Sequence, residues 1–570
     1  MANQTYSKEV LQQQVNVLDL KEVPSLLLKN VTYLHSYLHT WMKGNIWIYG
    51  ERIVYVGKEI PEDASNIMDC SDMVAVPGYI EPHAHPFQLY NPVSLAHQAA
   101  QFGTTTLICD NLSFLLGLST EEAHRLLDEL RSLPSTLFWW SRFDAQSLLN
   151  DEASMFTDES VKTWLDHPLV VQGGELTGWP RLLQGDDNMH AWVRYAKENK
   201  KRMEGHFPGA SEKTLAKLML LGAESDHEAM TADEVITRLS QGYYVTLRDS
   251  SIRPDLETIL VQLLDKGIDR FDRLFMTTDG SHPFYYEHGM SNVLIKKAID
   301  LGVPIIDAYH MASDNIARYY GMDHSYGNIA TGRVANINLL SSKVEPTPVH
   351  VIAKGTVVRN NEEDSNMPKM PSLKLEWQLT EEDFQFASQA GMHLVNNVIA
   401  KPYVSEQDLS VNQLSQEQDE CLLMMVARDG SWRLNTVVKG FAQIDGLASS
   451  YSGTGDVLLI GKCRQSMIRA FNRVKEQAGG IVIVQGGEIR AEIQLPIFGS
   501  MSQKPFNQVI AEEREIIQTL KNAGYAFHDP AFTLLFLTAT HLPFVRITQK
   551  GLIDVKNQEV IISPVIRKGF

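Results

Sequence analysis

Short apolar runs alternate with helical patterns from Val74 to about Leu301. The segments between the runs, such as STEEAHRLLDELRSL and GASEKTLAKLMLLG, place apolar residues at helical spacing and have Ser or Gly near their ends. Eight strand-like runs alternating with helices in roughly 230 residues predict a (β/α)8 barrel. The runs are 74–80, 104–110, 136–140, 169–174, 201–206, 222–226, 243–248 and 273–279, of which 222–226 is short and polar.

The segments on either side of the barrel show a different pattern, in which apolar and polar residues alternate and glycine interrupts the alternation. This pattern occupies residues 41–75, which include WMKGNIWIYGERIVYVGKEI, and it returns in residues 333–359. Such alternation is typical of strands with one buried face. We therefore expect the two flanks to meet as one small β-sandwich beside the barrel.

The last third of the chain predicts a further unit. Residues 361–372 are polar and contain proline, which is typical of a linker. Beyond them, DVLLIG, SMIRAFNRVKEQAGG and IVIVQGG indicate mixed α and β structure. The predicted units are an N-terminal segment with the first part of the sandwich, the barrel, the second part of the sandwich with the linker, and a C-terminal α+β domain, at residues 1–75, 76–328, 329–372 and 373–570.

The charge balance is acidic, with 51 Lys and Arg against 69 Asp and Glu and a net charge of −18. This balance argues against nucleic acid or an anionic membrane as the main partner. The first residues have no basic region followed by an apolar core, and no apolar run reaches the roughly 18 residues needed to span a bilayer. The four cysteines are scattered, which predicts reduced thiols in a cytoplasmic protein.

Two histidines follow the first predicted barrel strand in the stretch EPHAHP. Residues i and i+2 of a strand point to the same side, so His83 and His85 present both imidazoles to one place. The carboxyl ends of barrel strands are where active sites lie. An H-x-H pair is also compatible with two half-buried polar histidines, so this motif alone does not establish a metal site.

Other predicted strands also end in histidine or carboxylate side chains, which brings the number of such groups to six. Burying six such groups without a cation would leave costly unpaired polar atoms. Imidazole and carboxylate ligands suit Zn, Mn or Fe, and six ligands are enough for two divalent ions that share a carboxylate. The sequence therefore predicts a metal centre at the barrel mouth, formed by His83, His85, Glu175, His206, His227 and Asp279.

The order H-x-H, Glu, His, His, Asp resembles that of the amidohydrolase superfamily, and longer stretches resemble the bacterial adenine deaminase family. The matching stretches extend over nearly the whole chain. They include VPGYIEPHAH, FGTTTLICD, GGELTG, MEGHFPG, TTDGSHPFYYEHGMSNVLIKKAI, GGIVIVQGGEI, LPIFGSMS and HDPAFTLLFL.

The resemblance implies a role for each of the six residues. His83 and His85 match the ligands of one metal, Glu175 matches a carboxylate that bridges two metals, and His206 and His227 match the ligands of the second. Asp279 matches an aspartate that binds metal and shuttles a proton. The resemblance further implies iron or manganese, a homodimer, and a small-molecule substrate, adenine, that is converted to hypoxanthine and ammonia.

Four stretches depart from the pattern of the family. The family commonly has I-E-S-S where residues 86–90 read PFQLY, and a D-P-H-E-like turn where residues 110–114 read DNLSF. A second aspartate is usual where Gly280 stands, and a His/Asp/Asn-rich stretch is replaced by SYSGTGD at residues 450–456. The departures leave the metal ligands intact but change polar neighbours that could recognise the substrate.

The resemblance suggests hydrolytic deamination, in which a metal-bound hydroxide attacks C6 of adenine and Asp279 moves the proton to the departing amine. Besides Asp279 and Glu175, the catalytic candidates are Glu228, as an acid for the ring nitrogen, and Arg248. The arginine could contact substrate or pair with a rim acid such as Asp249 or Glu228. Two kinds of alternative remain open. The substrate could be another aminopurine, a pterin-like ring or a cyclic amide, or the protein could be a metal-binding relative without activity.

Overall fold

The computed structural model describes residues 6–359 and 367–567. Residues 361–366 of the predicted linker lie outside the described residues, and the predicted domain boundaries stay predictions. In the described residues, five strands of the flanking sheet precede the barrel, and three lie between the barrel and the C-terminal unit. The first five are β1 (Leu26–His35), β2 (Thr40–Tyr49), β3 (Arg52–Gly57), β4 (Ile67–Asp69) and β5 (Val74–Pro77). The barrel strands are numbered β6–β13, and the three that follow them are β14 (Ile337–Leu340), β15 (His350–Ala353) and β16 (Thr356–Val357).

The barrel strands pair in parallel and in chain order. Thr277 Oγ1, on the last strand, donates to the carbonyl oxygen of His83 on the first (3.1 Å). This arrangement confirms the predicted (β/α)8 barrel. The strands are β6 (Tyr79–Ala84), β7 (Thr104–Cys109), β8 (Thr136–Ser141), β9 (Val170–Leu176), β10 (Arg202–Gly205), β11 (Ser225–Asp226), β12 (Tyr244–Arg248) and β13 (Leu274–Thr277).

Several helices of the barrel and of the N-terminal segment begin at residues whose side chains cap them. Ser119 and Glu122 form a capping box, and Asn91 caps a helix that has Pro92 in its first turn. The helices are α1 (Lys8–Leu18), α2 (Pro92–Gln101), α3 (Leu112–Gly117), α4 (Thr120–Glu129), α5 (Glu152–Met155), α6 (Asp158–Asp166), α7 (Trp179–Leu183), α8 (Asp187–Glu198), α9 (Glu212–Leu220), α10 (Ala232–Ser240), α11 (Leu256–Asp265), α12 (Ser291–Asp300), α13 (Ile305–His310) and α14 (Asp314–Tyr319).

The run predicted as the first barrel strand, residues 74–80, is divided between two sheets. Its first part is β5, which pairs with β1 and β14, and the barrel strand β6 begins at Tyr79. The division falls at Gly78, where a Cβ atom would lie 2.2 Å from Thr105 Oγ1. Glycine, which has no Cβ atom, permits this approach. The apolar run is therefore one segment in the sequence but forms two strands in the structure. Through β5 and β14 the two flanks join in one eight-stranded sheet, as the sequence predicts.

The C-terminal unit is a nine-stranded sheet with a separate three-stranded sheet, β25–β27. Side chains of β19 alternate between two apolar clusters, because successive residues of a strand face opposite sides. One cluster contains residues of α15, and the other contains residues of α16. The elements are β17 (Ala390–Leu394), β18 (Ala400–Val404), β19 (Glu420–Val426), β20 (Trp432–Lys439), β21 (Gly446–Ser449), β22 (Val457–Gly461), β23 (Gly480–Gln485), β24 (Glu488–Gln494), β25 (Val545–Thr548), β26 (Gly551–Asp554), β27 (Glu559–Ile562), β28 (Val565–Ile566), α15 (Arg464–Glu476), α16 (Phe506–Asn522) and α17 (Pro530–Phe536).

The C-terminal unit packs on the barrel through α16. Phe506 stacks on Tyr90 at 5.1 Å between ring centroids and joins the core cluster of the barrel. Glu513, on the same helix, accepts a hydrogen bond from the backbone nitrogen of Phe284 (2.6 Å) and lies 3.6 Å from His282 Nδ1. A buried carboxylate therefore lies at the contact between the two units. In the described part of the chain, no helix is long and apolar enough to cross a membrane.

We expect the free energy of unfolding of Glu513→Gln, relative to that of the parent, to increase as the pH rises from about 5 to about 8. Burial raises the pKa of Glu513 from 4.5 to about 8, with His282 lowering it and Asp529 raising it further. The folded state therefore binds this proton more tightly than the unfolded state. The contribution of Glu513 to stability is greatest below the unfolded pKa and is lost as the pH rises toward the folded pKa.

Thermal unfolding of parent and variant across this pH range tests the expectation, with the exposed Glu515→Gln as the matched control. The difference in melting temperature between Glu513→Gln and the parent is expected to grow with pH. A difference that stays constant with pH would show that Glu513 does not change its protonation on unfolding.

Candidate metal centre and active site

A cavity of about 450 Å³ opens at the carboxyl ends of the barrel strands. Its floor contains four of the six predicted ligands, His85, Glu175, His206 and Asp279, together with Glu228 and Arg248. Its roof comes from the C-terminal unit and is apolar, with Phe532, Leu535 and Phe536 among its residues. The volume falls within the range of about 300–1,000 Å³ that is usual for small-molecule sites.

The six predicted ligands come together in two groups. In the first group, Nε2 of His83 lies 3.1 Å from Nε2 of His85, and Asp279 Oδ1 lies 3.3 and 3.5 Å from these two atoms. Ligand atoms bound at 2.0–2.1 Å to one tetrahedral ion are about 3.3–3.4 Å apart. The three side chains therefore already have the separations that a single cation requires.

The second group has a similar geometry. His206 Nδ1 lies 3.1 Å from His227 Nε2, and Glu175 Oε1 lies 2.8 and 3.6 Å from these atoms. The other oxygen of Glu175, Oε2, lies 3.9 Å from His83 Nε2 in the first group. Glu175 thus offers one carboxylate oxygen to each side, which is the arrangement expected of a bridging ligand.

Two buried carboxylates orient the histidines. Glu204 lies 2.9 Å from Nδ1 of His83 and 3.2 Å from Nδ1 of His227, and Asp110 lies 2.9 Å from Nδ1 of His85. Although burial alone would raise the pKa values of these acids, their charged partners lower both to about 2. An ionised carboxylate can only accept, so each of these Nδ1 atoms carries a proton and the Nε2 atom of each ring faces the centre.

The electrostatics of the cluster also favour a cation. Burial would lower the pKa of His83, but Glu204 and Asp279 raise it to about 10. In the described part of the chain, five buried carboxylates face three arginines around the four histidines. The acids are Asp110, Glu175, Glu204, Glu228 and Asp279, and the bases are Arg142, Arg248 and Arg253. This excess of negative charge attracts positive charge, so the residues fit divalent metal ions.

Arg248 contacts two of the predicted catalytic residues. Its Nη1 atom lies 2.7 Å from Glu228 Oε1 and 2.5 Å from Asp279 Oδ2. Arg253 adds a second contact to Glu228 (2.5 Å). Despite the opposing effect of burial, Arg248, His206 and Arg253 hold the pKa of Glu228 well below its usual value. Glu228 is therefore ionised at neutral pH, which favours a role as a hydrogen-bond acceptor over that of an acid.

All four departures from the family pattern contact one another or the predicted metal ligands, and DNLSF does so through Asp110, which lies beside His85. Gly280 has φ +58°, and a Cβ atom there would lie 2.5 Å from His85 Cβ, so the absence of a side chain permits the position of His85. In PFQLY, Gln88 accepts a hydrogen bond from the hydroxyl of Tyr451, which belongs to SYSGTGD. The hydroxyl of Tyr451 also lies 3.2 Å from His282 Nε2. These two stretches therefore form part of the contact between the C-terminal unit and the barrel.

Several residues of the site were missed by reasoning from the sequence. Glu204 has a sequence signal, because it lies in β10 two residues before His206. Residues two apart in a strand face the same side of the sheet. Asp110 lies within a stretch that was noted only as a departure from the family. Arg142 contacts both Asp110 and Glu175 (2.5 and 2.8 Å), and His541 packs edge-on against His206 at 5.2 Å between ring centroids. Neither of these two has a sequence signal, because their contacts depend on distant elements.

We expect Glu204→Gln to lower metal affinity by about 10- to 100-fold, the usual cost of losing a partner of a metal ligand. Glu204 uses Oε2 for Nδ1 of His83 and Oε1 for Nδ1 of His227. Glutamine replaces one of these oxygens with an NH2 donor, which cannot accept from an N–H group. Metal content after dialysis against a graded chelator series measures the change. Glu224→Gln is the control, because Glu224 pairs with Lys197 and Arg202 instead. Equal affinities in the parent and Glu204→Gln would contradict this role.

Comparison with known proteins agrees with the fold. Residues 74–358 match the amidohydrolase family, and residues 396–559 match the adenine deaminase C-terminal domain. A relative from Bacillus cereus, "Putative adenine deaminase", is 55% identical, with 98% of this chain and 97% of the relative covered. "Putative adenine deaminase BH0637" from Halalkalibacterium halodurans is 48% identical over the full length of both chains, and "Putative adenine deaminase YerA" from Bacillus subtilis is 47% identical with 97% of both covered.

The roof of the cavity and its floor thus belong to the two matched segments. The matches indicate a hydrolase that acts on carbon–nitrogen bonds, which is consistent with the candidate metal ligands at the floor of the cavity. This chain belongs to the adenine deaminase family of the amidohydrolases and is a hydrolase that acts on carbon–nitrogen bonds.

Proposed function

We propose that the protein deaminates adenine, converting adenine and water to hypoxanthine and ammonia. The observation that carries the proposal is the pair of ligand groups that share Glu175 at the floor of a cavity of about 450 Å³. The apolar roof is suited to a flat heterocycle, because burying an aromatic ring against apolar side chains is favourable. The relatives described above are named for the same substrate, which supports the choice of adenine over other rings.

Members of the amidohydrolase family depend on metal ions. The candidate ions are Mn²⁺ or Fe²⁺, with Zn²⁺ as the alternative. Two such divalent ions would be held by His83, His85 and Asp279 on one side and by His206 and His227 on the other, with Glu175 between them. When bound, such ions lower the pKa of a coordinated water molecule and supply positive charge where negative charge develops.

The residues of this chain perform the remaining tasks. Asp279 accepts the proton of the water that adds to C6, and it returns that proton to the amino group as the C6–N bond breaks. Arg248 orients Asp279 through its contact at 2.5 Å and keeps it ionised. Glu228, held by Arg248 and Arg253, offers its carboxylate as an acceptor for an N–H group of the ring.

An assay of ammonia release from adenine tests the proposal, using protein loaded with Mn(II) under reducing conditions. We expect one hypoxanthine for each ammonia released, and no product from protein treated with a chelator. Intact metal content without any ammonia from adenine would contradict the proposed substrate.

A second candidate function is hydrolysis of another aminopurine, a pterin-like ring or a cyclic amide. It is supported by the departures at residues 86–90 and 450–456, which lie where the C-terminal unit meets the barrel beside the cavity. The same assay with a panel of these heterocycles separates the two candidates. A higher kcat/KM for one of them than for adenine would favour it. A protein that binds both metals and hydrolyses no member of the panel would instead be an inactive relative.

A further inference from the structure

A second group of metal-binding side chains lies between the flanking sheet and the barrel. His39 lies in the connection between β1 and β2, and Asp307 and His310 lie on α13. One ligand atom of each residue lies within 4.8 Å of the other two. None of the three lines the cavity at the barrel mouth. The group is therefore separate from the six ligands described above, and the proposed function does not use it.

The local structure explains why these three residues meet. Residues three apart on a helix point to the same side, so Asp307 and His310 face one direction from α13. The side chain of Trp41, at the start of β2, packs edge-on against Tyr309 of the same helix at 6.2 Å between ring centroids. This contact holds the β1–β2 connection, and with it His39, beside the helix.

His310 gives an independent indication that this group can bind a further partner. The residue exposes only 6% of its surface, and its Nε2 atom is buried without a hydrogen-bond partner in residues 6–359 or 367–567. Buried polar atoms in native proteins normally have a partner, because leaving one unpaired costs free energy. The charge of the nearby Arg318, which would oppose a cation, is compensated by Asp314 at 2.6 Å.

The separations match those of a tetrahedral metal site. The ring centroids of His39 and His310 are 5.3 Å apart, with the ring planes at 72°. Two imidazoles bound at 2.0–2.1 Å to one tetrahedral ion place their centroids about 5.2 Å apart. His39 Nε2 lies 3.8 Å from Asp307 Oδ1, and two ligands of such an ion are about 3.3–3.4 Å apart. A small side-chain rotation closes this difference.

We propose that His39, Asp307 and His310 bind one Zn²⁺ ion that ties the β1–β2 connection to α13. Two imidazole nitrogens and one carboxylate oxygen are typical zinc ligands, and water takes the fourth position of the tetrahedron. Because the ion joins the flanking sheet to the barrel and lies outside the cavity, its role is structural. Zinc therefore raises the thermal stability of the protein and leaves turnover unchanged.

The test compares zinc content and melting temperature in full-length parent, His39→Ala and His288→Ala proteins. Each protein is loaded with Mn(II), incubated with excess Zn²⁺, freed of unbound metal and analysed for its elements. Zinc that enters the barrel centre contributes equally to all three, so the difference between proteins reports the new site. His288 is the matched control because its side chain is 87% exposed and lies outside the group.

We expect the parent and His288→Ala to hold one zinc ion more per chain than His39→Ala. Zinc is expected to raise the melting temperature of the first two proteins by more than that of His39→Ala. The side chain of His39 is 53% exposed, so the zinc-free melting temperatures should agree, and Asp307→Ala provides a second variant that removes a ligand. Equal zinc content in the parent, His39→Ala and Asp307→Ala would overturn the proposal.

Discussion

Asp279→Asn is expected to keep most of its metal and to lose turnover by a factor of about 10²–10⁴, the usual contribution of a positioned acid or base. Asparagine can still offer its one amide oxygen to a cation, but it cannot accept a proton. Although burial would raise the pKa of Asp279, Arg248, His83 and His85 hold it well below its usual value. The carboxylate is therefore ionised and ready to accept a proton across the neutral range.

We expect the loss to be near the large end of this range. Gly280 provides no second acid beside Asp279, and its approach to His85 leaves no room for one. Metal content and kcat are measured together, with Asp255→Asn as a control that removes a carboxylate from Arg253 instead. If Asp279→Asn kept its metals and turned over near the parental rate, the proton would have to move through another residue, with Glu228 and His282 the next candidates.

Glu175→Gln is expected to lower metal occupancy and activity together, each by at least about 10-fold, since even partners of metal ligands contribute that much. A neutral amide is a poor bridge between two cations. The substitution also removes a carboxylate oxygen that lies 2.8 Å from Arg142 Nη2, which leaves the buried guanidinium with less compensation. Elemental analysis and the ammonia assay on the same preparation measure both effects.

The control for Glu175→Gln is Glu152→Gln, which alters a half-buried carboxylate near residue 145, outside the ligand groups. Retention of both metals and full turnover in Glu175→Gln would show that Glu175 serves only as the structural partner of Arg142. Loss of metal from a protein whose melting temperature in chelator is unchanged would support its role as a ligand.

The contact between the C-terminal unit and the barrel bears on substrate choice. The residues that depart from the family pattern, Gln88 and Tyr451, bond to each other at this contact, and His282 joins them. Their position indicates that these departures help to set how the apolar roof lies over the metal centre. The size and shape of the cavity therefore depend on both units.

The sequence by itself determined the barrel and the choice of six candidate ligands. Strand alternation and helical spacing are local properties, and in parallel strands the carboxyl ends gather at one edge. Knowing where each strand ends was therefore enough to bring His83, Glu175, His206 and Asp279 to one place. The local pattern of residues 74–80 could not show that this run is divided between two sheets. The division falls at Gly78, where the backbone approaches Thr105 of another strand.

Only the tertiary structure decided which residues support the ligands and what covers them. Glu204 serves two histidines from different strands, and Arg142 contacts acids from two others, so their roles arise from pairings across the barrel. The roof comes from residues more than 100 positions away from the floor, as with Phe532 over Glu175. Such contacts follow from the packing of whole units, which depends on the summed burial of many side chains and leaves no short pattern in the sequence.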